Sequence, residues 1–217
     1  TLRIEASAEK LGPASGTVTL TLHDVFEGEG VHDFELVSDV LKVDLTPRFQ
    51  APLDLTGLTA TGRLAAGAKQ GEGLALHVRQ DEAEFHFTGS IGATPERQDG
   101  EPPVLMSLQL ETSGAVAKHT VFDFWPVTLG TGARDFANAN VEASAIRNVK
   151  GHIDIKRDSF GEGGYLRDSD LELTFDAEDA NVKFLSDLPP VAKGRGSGRL
   201  TGNSFRVTLD SGDYGGR

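Results

Sequence analysis

The chain contains no cysteine. Disulfide scaffolds, cysteine-ligated zinc, iron–sulfur clusters and thiol nucleophiles are excluded together. The compartment is not thereby set, because 217 residues can bury a core without disulfides in the periplasm as well as in the cytosol. Cations are in deficit: 21 Lys and Arg against 33 Asp and Glu leave a formal net charge of −12. That field repels polyanions, which argues against nucleic acid as a partner and against polybasic attraction to anionic headgroups. With one Trp, one Met and two Tyr, the twelve Phe must supply the large packing volumes. No apolar run approaches the roughly 18 residues of a spanning helix, and no secretory signal pattern is present. The chain opens on Thr1 and closes on Asp213-Tyr214-Gly215-Gly216-Arg217, directly after a strand-like run. It reads as a piece of a longer protein, with any membrane anchor lying outside it.

What the sequence has in quantity is glycine, 26 residues, and period-two alternation. Leu20 and Leu22 alternate with Thr19 and Thr21, and Leu41 and Val43 with Lys42 and Asp44. Leu53 and Leu55 flank Asp54, after which Thr56-Gly57 is expected to turn the chain toward Leu58 and Ala60. Leu74, Leu76 and Val78 are followed by Ala83, Phe85 and Phe87, then by Met106, Leu108 and Leu110. Ile153 and Ile155, then Leu171, Leu173 and Phe175, then Val182 and Phe184, then Phe205, Val207 and Leu209 repeat the theme. Each run describes a half-buried strand, one face apolar and one wet. A turn at Gln80-Asp81 would pair Val78 with Ala83, Leu76 with Phe85 and Leu74 with Phe87. It would also set Arg79 against Glu82 and His77 against Glu84, which is chemically consistent on both faces.

One stretch breaks the alternation. After Trp125-Pro126, the residues Leu129, Ala133, Phe136, Ala137 and Asn140 follow a 3.6-residue period. With proline suited to a first turn, this predicts a single helix from about 127 to 140. The expected organisation is an amphipathic strand meander over 1–120, the Trp-Pro segment and helix over 121–142, and a second meander over 143–217 continuing the same sheet. Loops are expected at 28–30, 67–73, 94–103 and 159–164. Residues 56–64 and 194–202 echo one another, each after a proline segment (Ala51-Pro52-Leu53; Leu188-Pro189-Pro190). The fold class is mainly β: a large, twisted antiparallel sheet, groove-like or folded over, with one short helix.

Chemistry-bearing clusters are few. His23-Asp24 and His32-Asp33, with Glu27 and Glu29 between, supply hard ligands, but their spacing matches no known metal loop and reads as a solvated acidic loop. Asp168, Asp170, Glu172, Asp176, Glu178 and Asp179 offer paired carboxylates, yet they alternate with Leu171, Leu173 and Phe175 as the wet side of a strand does. His77 and His86 share a wet face with Glu84 and read as a surface ion pair rather than a zinc site. Gly194-Arg195-Gly196-Ser197-Gly198 lacks the lysine and helix of a phosphate loop and reads as a turn entering a strand. No serine lies in a nucleophile elbow. Neither a catalytic site, a metal nor a cofactor is expected.

Phe124-Trp125-Pro126-Val127-Thr128-Leu129, Ala133-Arg134-Asp135-Phe136, Asn138-Ala139-Asn140-Val141 and the later Leu188-Pro189-Pro190-Val191 with Gly196, Gly198 and Leu200-Thr201-Gly202 carry a resemblance. Over roughly 122–216 the chain resembles the AsmA-like family in its YhdP branch, with the TamB proteins more distant. In that pattern Trp125, Pro126, Arg134, Pro189 and Pro190 are the motif residues. The resemblance implies a bridge-like lipid-transport protein, anchored in the inner membrane of Gram-negative bacteria and crossing the periplasm. Its β-groove would carry phospholipid acyl chains toward the outer membrane. The groove lining implied here is Leu20, Leu22, Leu41, Val43, Leu74, Leu76, Phe85, Phe87, Met106, Leu108, Phe205 and Val207. The other reading of the strand pattern is a closed β-sandwich used for adhesion or sugar binding, with calcium at the acidic loops.

Overall fold

The computed structural model describes residues 1–7, 14–23, 30–46, 48–65, 71–92, 103–128, 130–142, 145–156, 159, 166–183, 188–202 and 204–214. The first seven strands are β1 (Leu2–Ser7), β2 (Ala14–Leu22), β3 (Val31–Val43), β4 (Leu53–Ala65), β5 (Gly71–Gln80), β6 (Ala83–Ile91) and β7 (Val104–Ser113). Two helices follow, α1 (Lys118–Phe124) and α2 (Thr131–Asn140). The chain then returns to strands: β8 (Val141–Glu142), β9 (Ala145–Lys156), β10 (Leu171–Val182), β11 (Val191–Thr201) and β12 (Phe205–Tyr214). All twelve belong to one open antiparallel sheet, in the order β1-β2-β3-β4-β5-β6-β7-β9-β10-β11-β12, with the short β8 beside β10. The mainly β class is as the alternation implies. The two-sheet sandwich is not formed, because every strand of the described residues pairs within this single sheet.

The helical region differs from the expected single helix. Trp125 is extended, at φ −91° and ψ 109°, because the residue before proline is sterically driven out of the helical region. Pro126 therefore ends α1 instead of opening α2. The second helix starts at Thr131, after Gly130 in the left-handed region. The signal for α1 was present: Val121, Phe124 and Trp125 stand at helical spacing.

Two strands run through expected turns. β4 passes straight through Thr56-Gly57, where Gly57 at φ +56° lets the strand shift phase without reversing. The apolar spacing records this, stepping by two from Leu53 to Leu55 and by three to Leu58. β11 runs unbroken through Gly196 and Gly198. Gly198 is required there because the ring of Phe175 on β10 lies where its Cβ would project. Leu171 to Val182 is likewise one strand, not two, while Phe184 lies outside the described residues.

The β5–β6 register is shifted by two from expectation. The turn is Asp81-Glu82, so Val78 pairs with Phe85, Leu76 with Phe87, Leu74 with Gly89, Arg79 with Glu84 and His77 with His86. A two-residue shift preserves which side each residue faces. Asp81 takes φ +54° at the turn. Its carboxylate accepts from Thr120 Oγ1 at 2.8 Å and contacts His119 Nε2 at 2.9 Å, so the start of α1 clasps the hairpin tip.

The helices cover part of the apolar side of the sheet. Beneath α1, Ala83, Phe85 and Val116 form one buried cluster with Phe87, Leu110, Phe124 and Val149. Phe85 and Phe124 rings lie 4.9 Å apart. Trp125 anchors a second cluster with Leu166, Leu171 and Leu200, flanked by Ile153, Leu173 and Phe205. Val127 N–H donates to Arg48 O at 2.9 Å, tying the β3–β4 connection to the same insertion. Trp125 is thus the largest side chain joining the insertion to β10 and β11. Trp125→Ala is expected to cost about 3–5 kcal/mol of stability, read as a lowered midpoint in urea denaturation.

Candidate functional site

The apolar residues of the sheet meet in one row. Ile4 pairs with Leu20, Leu20 with Leu36, Leu36 with Ala60 and Ala60 with Leu76. Leu76 pairs with Phe87, Phe87 with Leu110 and Leu110 with Gly151. Gly151 pairs with Leu173, Leu173 with Leu200 and Leu200 with Phe205. Direct cross-strand partners share a face, so this row crosses all eleven strands of the path on one side. A second, shorter row runs beside it through Leu74, Gly89, Leu108, Ile153 and Leu171.

All twelve residues implied as groove lining lie on this side. Leu20, Leu76, Phe87 and Phe205 are in the long row, and Leu74 and Leu108 in the shorter one. Leu22 is opposite Phe34, Met106 opposite Ile91, and Val207 opposite Gly198. Phe85 belongs to the same side but is buried beneath α1, as part of the core rather than an open lining. By count Leu41 and Val43 are out of step with Leu36, but a one-residue register shift between them returns both to this side, opposite Gly16 and Ala14 of β2, which are in step with Leu20. They stand opposite Leu55 and Leu53, beyond the level where Gly57 shifts the phase, and are half-buried there.

Cover on this face is uneven. The clusters beneath the helices draw on β6, β7, β9, β10, β11 and β12, and contain no described residue of β1–β4. At one edge Leu2 and Ile4 are exposed, and at the other Val207 and Leu209. Of the motif residues, Trp125 is buried and Pro126 follows it. Arg134 lies 5.2 Å from the centre of the Phe122 ring and donates from Nη2 to Gln50 Oε1 at 2.7 Å, holding α2 against the β3–β4 connection. Pro189 and Pro190 are exposed, directly before β11.

The polar candidates separate. His32 and Asp33 are successive residues of β3, while Asp24, Glu27 and Glu29 lie outside the described residues. Most of the expected loops, at 28–29, 67–70, 94–102 and 160–164, also lie outside them. In the acidic stretch, carboxylates are engaged one by one. Glu172 accepts from Arg199 Nη2 at 2.7 Å, which holds its carboxyl below the usual range. Glu178 pairs with Arg147 at 3.1 Å, Asp176 accepts from Asn148 at 2.8 Å, and Asp168 accepts from Thr201.

Asp170 is different, being buried with Lys156 at 2.8 Å. Burial pushes its carboxyl up, but Lys156, the Arg167 backbone N–H and Ser169 outweigh this and hold it below the ordinary range. The pair staples the end of β9 to the start of β10. Sequence reasoning placed Asp170 with its acidic neighbours, because nothing local reveals that Lys156 lies against it.

His77, Glu84 and His86 do come together. The imidazoles stack with centroids 4.6 Å apart, and Glu84 Oε2 lies 3.8 Å from His77 Nε2 and 3.7 Å from His86 Nε2. This cluster is on the wet side of the sheet, opposite to the apolar row.

Comparison with protein-family models, curated proteins and solved structures finds no match to the chain.

Two outcomes follow from these placements. Asp170→Asn removes this carboxylate charge from against the buried Lys156 ammonium and is expected to cost about 3 kcal/mol at neutral pH. Because the native carboxyl titrates below its unfolded value, its contribution is present above the ordinary carboxylate range and is lost as pH falls through the depressed native value. The gap between wild type and Asp170→Asn in urea denaturation should therefore narrow on acidification. Separately, Phe85→Asp is expected to abolish cooperative unfolding, whereas Leu20→Asp, on the same face but in β2, beyond the clusters under the helices, should cost less than about 2 kcal/mol and leave the circular dichroism spectrum intact.

Proposed function

We propose that the apolar side of this sheet binds lipid acyl chains, and that the chain is a segment of a periplasmic, AsmA-like lipid-transport protein. The observation that carries this reading is the directly paired apolar row from Ile4 to Phe205, with exposed apolar residues at both edges. Ten interstrand steps of about 4.8 Å give the row a length of about 48 Å. One acyl chain spans about half of a ~30 Å bilayer core, so the row is longer than any single tail. It has the proportions of a track rather than of a closed pocket.

The energetics suit the reading. Each methylene removed from water contributes about 0.8 kcal/mol, and no polar group is needed to hold it. Across β1–β4 the row is about 14 Å long, close to one acyl chain, and lies outside the clusters packed under the helices. The helical insertion then acts as a cover over the β6–β12 side of the same face. The negative charge is carried on the wet side, away from the tails. The resemblance of 122–216 to the AsmA-like family supports the same reading and adds the membrane-anchored parent and the inner-to-outer-membrane route. The chain does no chemistry in this scheme; transport follows from continuity of the dry surface.

Native mass spectrometry after purification without detergent tests the proposal. Co-purifying phospholipid is expected, together with uptake of a fluorescent fatty acid that Leu20→Asp reduces. A clean apo mass with no fatty-acid uptake by the folded wild type would overturn it.

A further inference from the structure

The wet side of the β5–β6 hairpin carries a second feature that the lipid reading does not use. We propose that His77, Glu84 and His86 form a binding site for a divalent transition-metal ion of the zinc type. The three groups converge because of the hairpin register. With the turn at Asp81-Glu82, His77 on β5 stands directly opposite His86 on β6, and Glu84 lies two residues from His86 on the same face. All three ligand atoms lie within 4.8 Å of one another. Had the turn been Gln80-Asp81, His77 would have faced Glu84 and His86 would have been one step further away.

The chemistry of the donors selects the ion. Two imidazole nitrogens and one carboxylate oxygen suit zinc, copper or nickel, and poorly suit calcium or magnesium, which take oxygen ligands. Three protein donors leave a fourth tetrahedral position for water. Donors about 2.1 Å from a tetrahedral zinc stand roughly 3.4 Å apart. The 3.7 and 3.8 Å contacts from the histidines to Glu84 are within a few tenths of an ångström of that. The two rings must tilt from their stacked arrangement to share an ion, a change that their side-chain torsions can supply.

The surroundings also point to an unfilled coordination need. His77 Nε2 is a buried atom with no hydrogen-bond partner. A buried nitrogen without a partner is costly, and a metal bond would satisfy it. Glu84 is oriented by Ser113, whose Oγ donates to Glu84 Oε2 at 3.2 Å. Arg79, the cross-strand partner of Glu84, lays its guanidinium against Gly57 on β4. Glu111 is the cross-strand partner of His86 and adds a nearby negative charge, shared with Lys150 at 3.4 Å. The strands hold the three side chains on a rigid ladder, so little ordering is needed on binding.

Calorimetric titration of the full chain with zinc chloride, paired with long-range nitrogen–proton NMR of the histidine rings, tests the site. Binding near one equivalent is expected, with two imidazoles shifted and no response to calcium. His77→Gln and His86→Gln should each weaken zinc at least about tenfold, with circular dichroism unchanged. If His77→Gln disturbs the sheet, the more exposed His86→Gln carries the comparison. Absence of zinc binding to the wild type would overturn the proposal. So would unchanged zinc affinity in folded His86→Gln, which would place the ion on other residues.

Discussion

Period-two alternation must stay in phase from strand to strand, or a one-sided sheet of this width cannot exist. A slip of one residue at any ladder would turn every apolar side chain beyond it to the wet side. Ten successive ladders hold Ile4, Leu20, Leu36, Ala60, Leu76, Phe87, Leu110, Gly151, Leu173, Leu200 and Phe205 in direct opposition. Where the pattern changes phase, near Gly57, the change is made within the strand, and β3 and β4 stay in register through it. The wet side is the complement of the same phasing. It collects the ion pairs Arg199–Glu172, Lys150–Glu111 and Arg147–Glu178.

A sheet that is apolar on one side needs a cover, and this one makes its cover from its own chain. After β7 the meander gives way to two helices before β9 resumes beside it. Trp125 and Phe124 drive into the clusters over β6–β12, and Arg134 and Val127 tie the insertion back to the β3–β4 connection. The cover is incomplete, and the apolar residues at the β1 and β12 edges remain exposed. That incompleteness motivates the acyl-chain proposal. Among the described residues β1 and β12 each pair on one side only, which leaves edge backbone able to take a further strand.

Much of the fold was legible along the chain because strand alternation is a local signal. The apolar members of most strands, the hairpin at β5–β6 and the presence of helix near Trp125 follow from spacing alone. Turns and registers were less legible. Thr56-Gly57 and Gly196-Ser197-Gly198 look like turns, but their glycines serve a phase shift in one case and the Phe175 ring in the other. Pro126 suits a first helical turn as well as a helix end; it ends α1 by holding Trp125 extended, and α2 begins only at Thr131. The candidate sites divide in the same way. Leu20, Leu74 and Leu108 could be assigned to one apolar side from alternation, whereas the burial of Phe85 depended on where α1 lands.

The sequence by itself determined that the chain is a β meander with one dry and one wet side, free of thiol chemistry and strongly acidic. Those properties depend on composition and on neighbours two residues apart. The tertiary structure alone decided that there is one sheet rather than two, which part of its dry side is covered, and that Lys156 meets Asp170. It also decided that His77 meets His86 across a hairpin whose turn lies one residue later than alternation implied. These outcomes rest on contacts between distant segments, where a shift of two residues leaves every local pattern satisfied and still exchanges one partner for another.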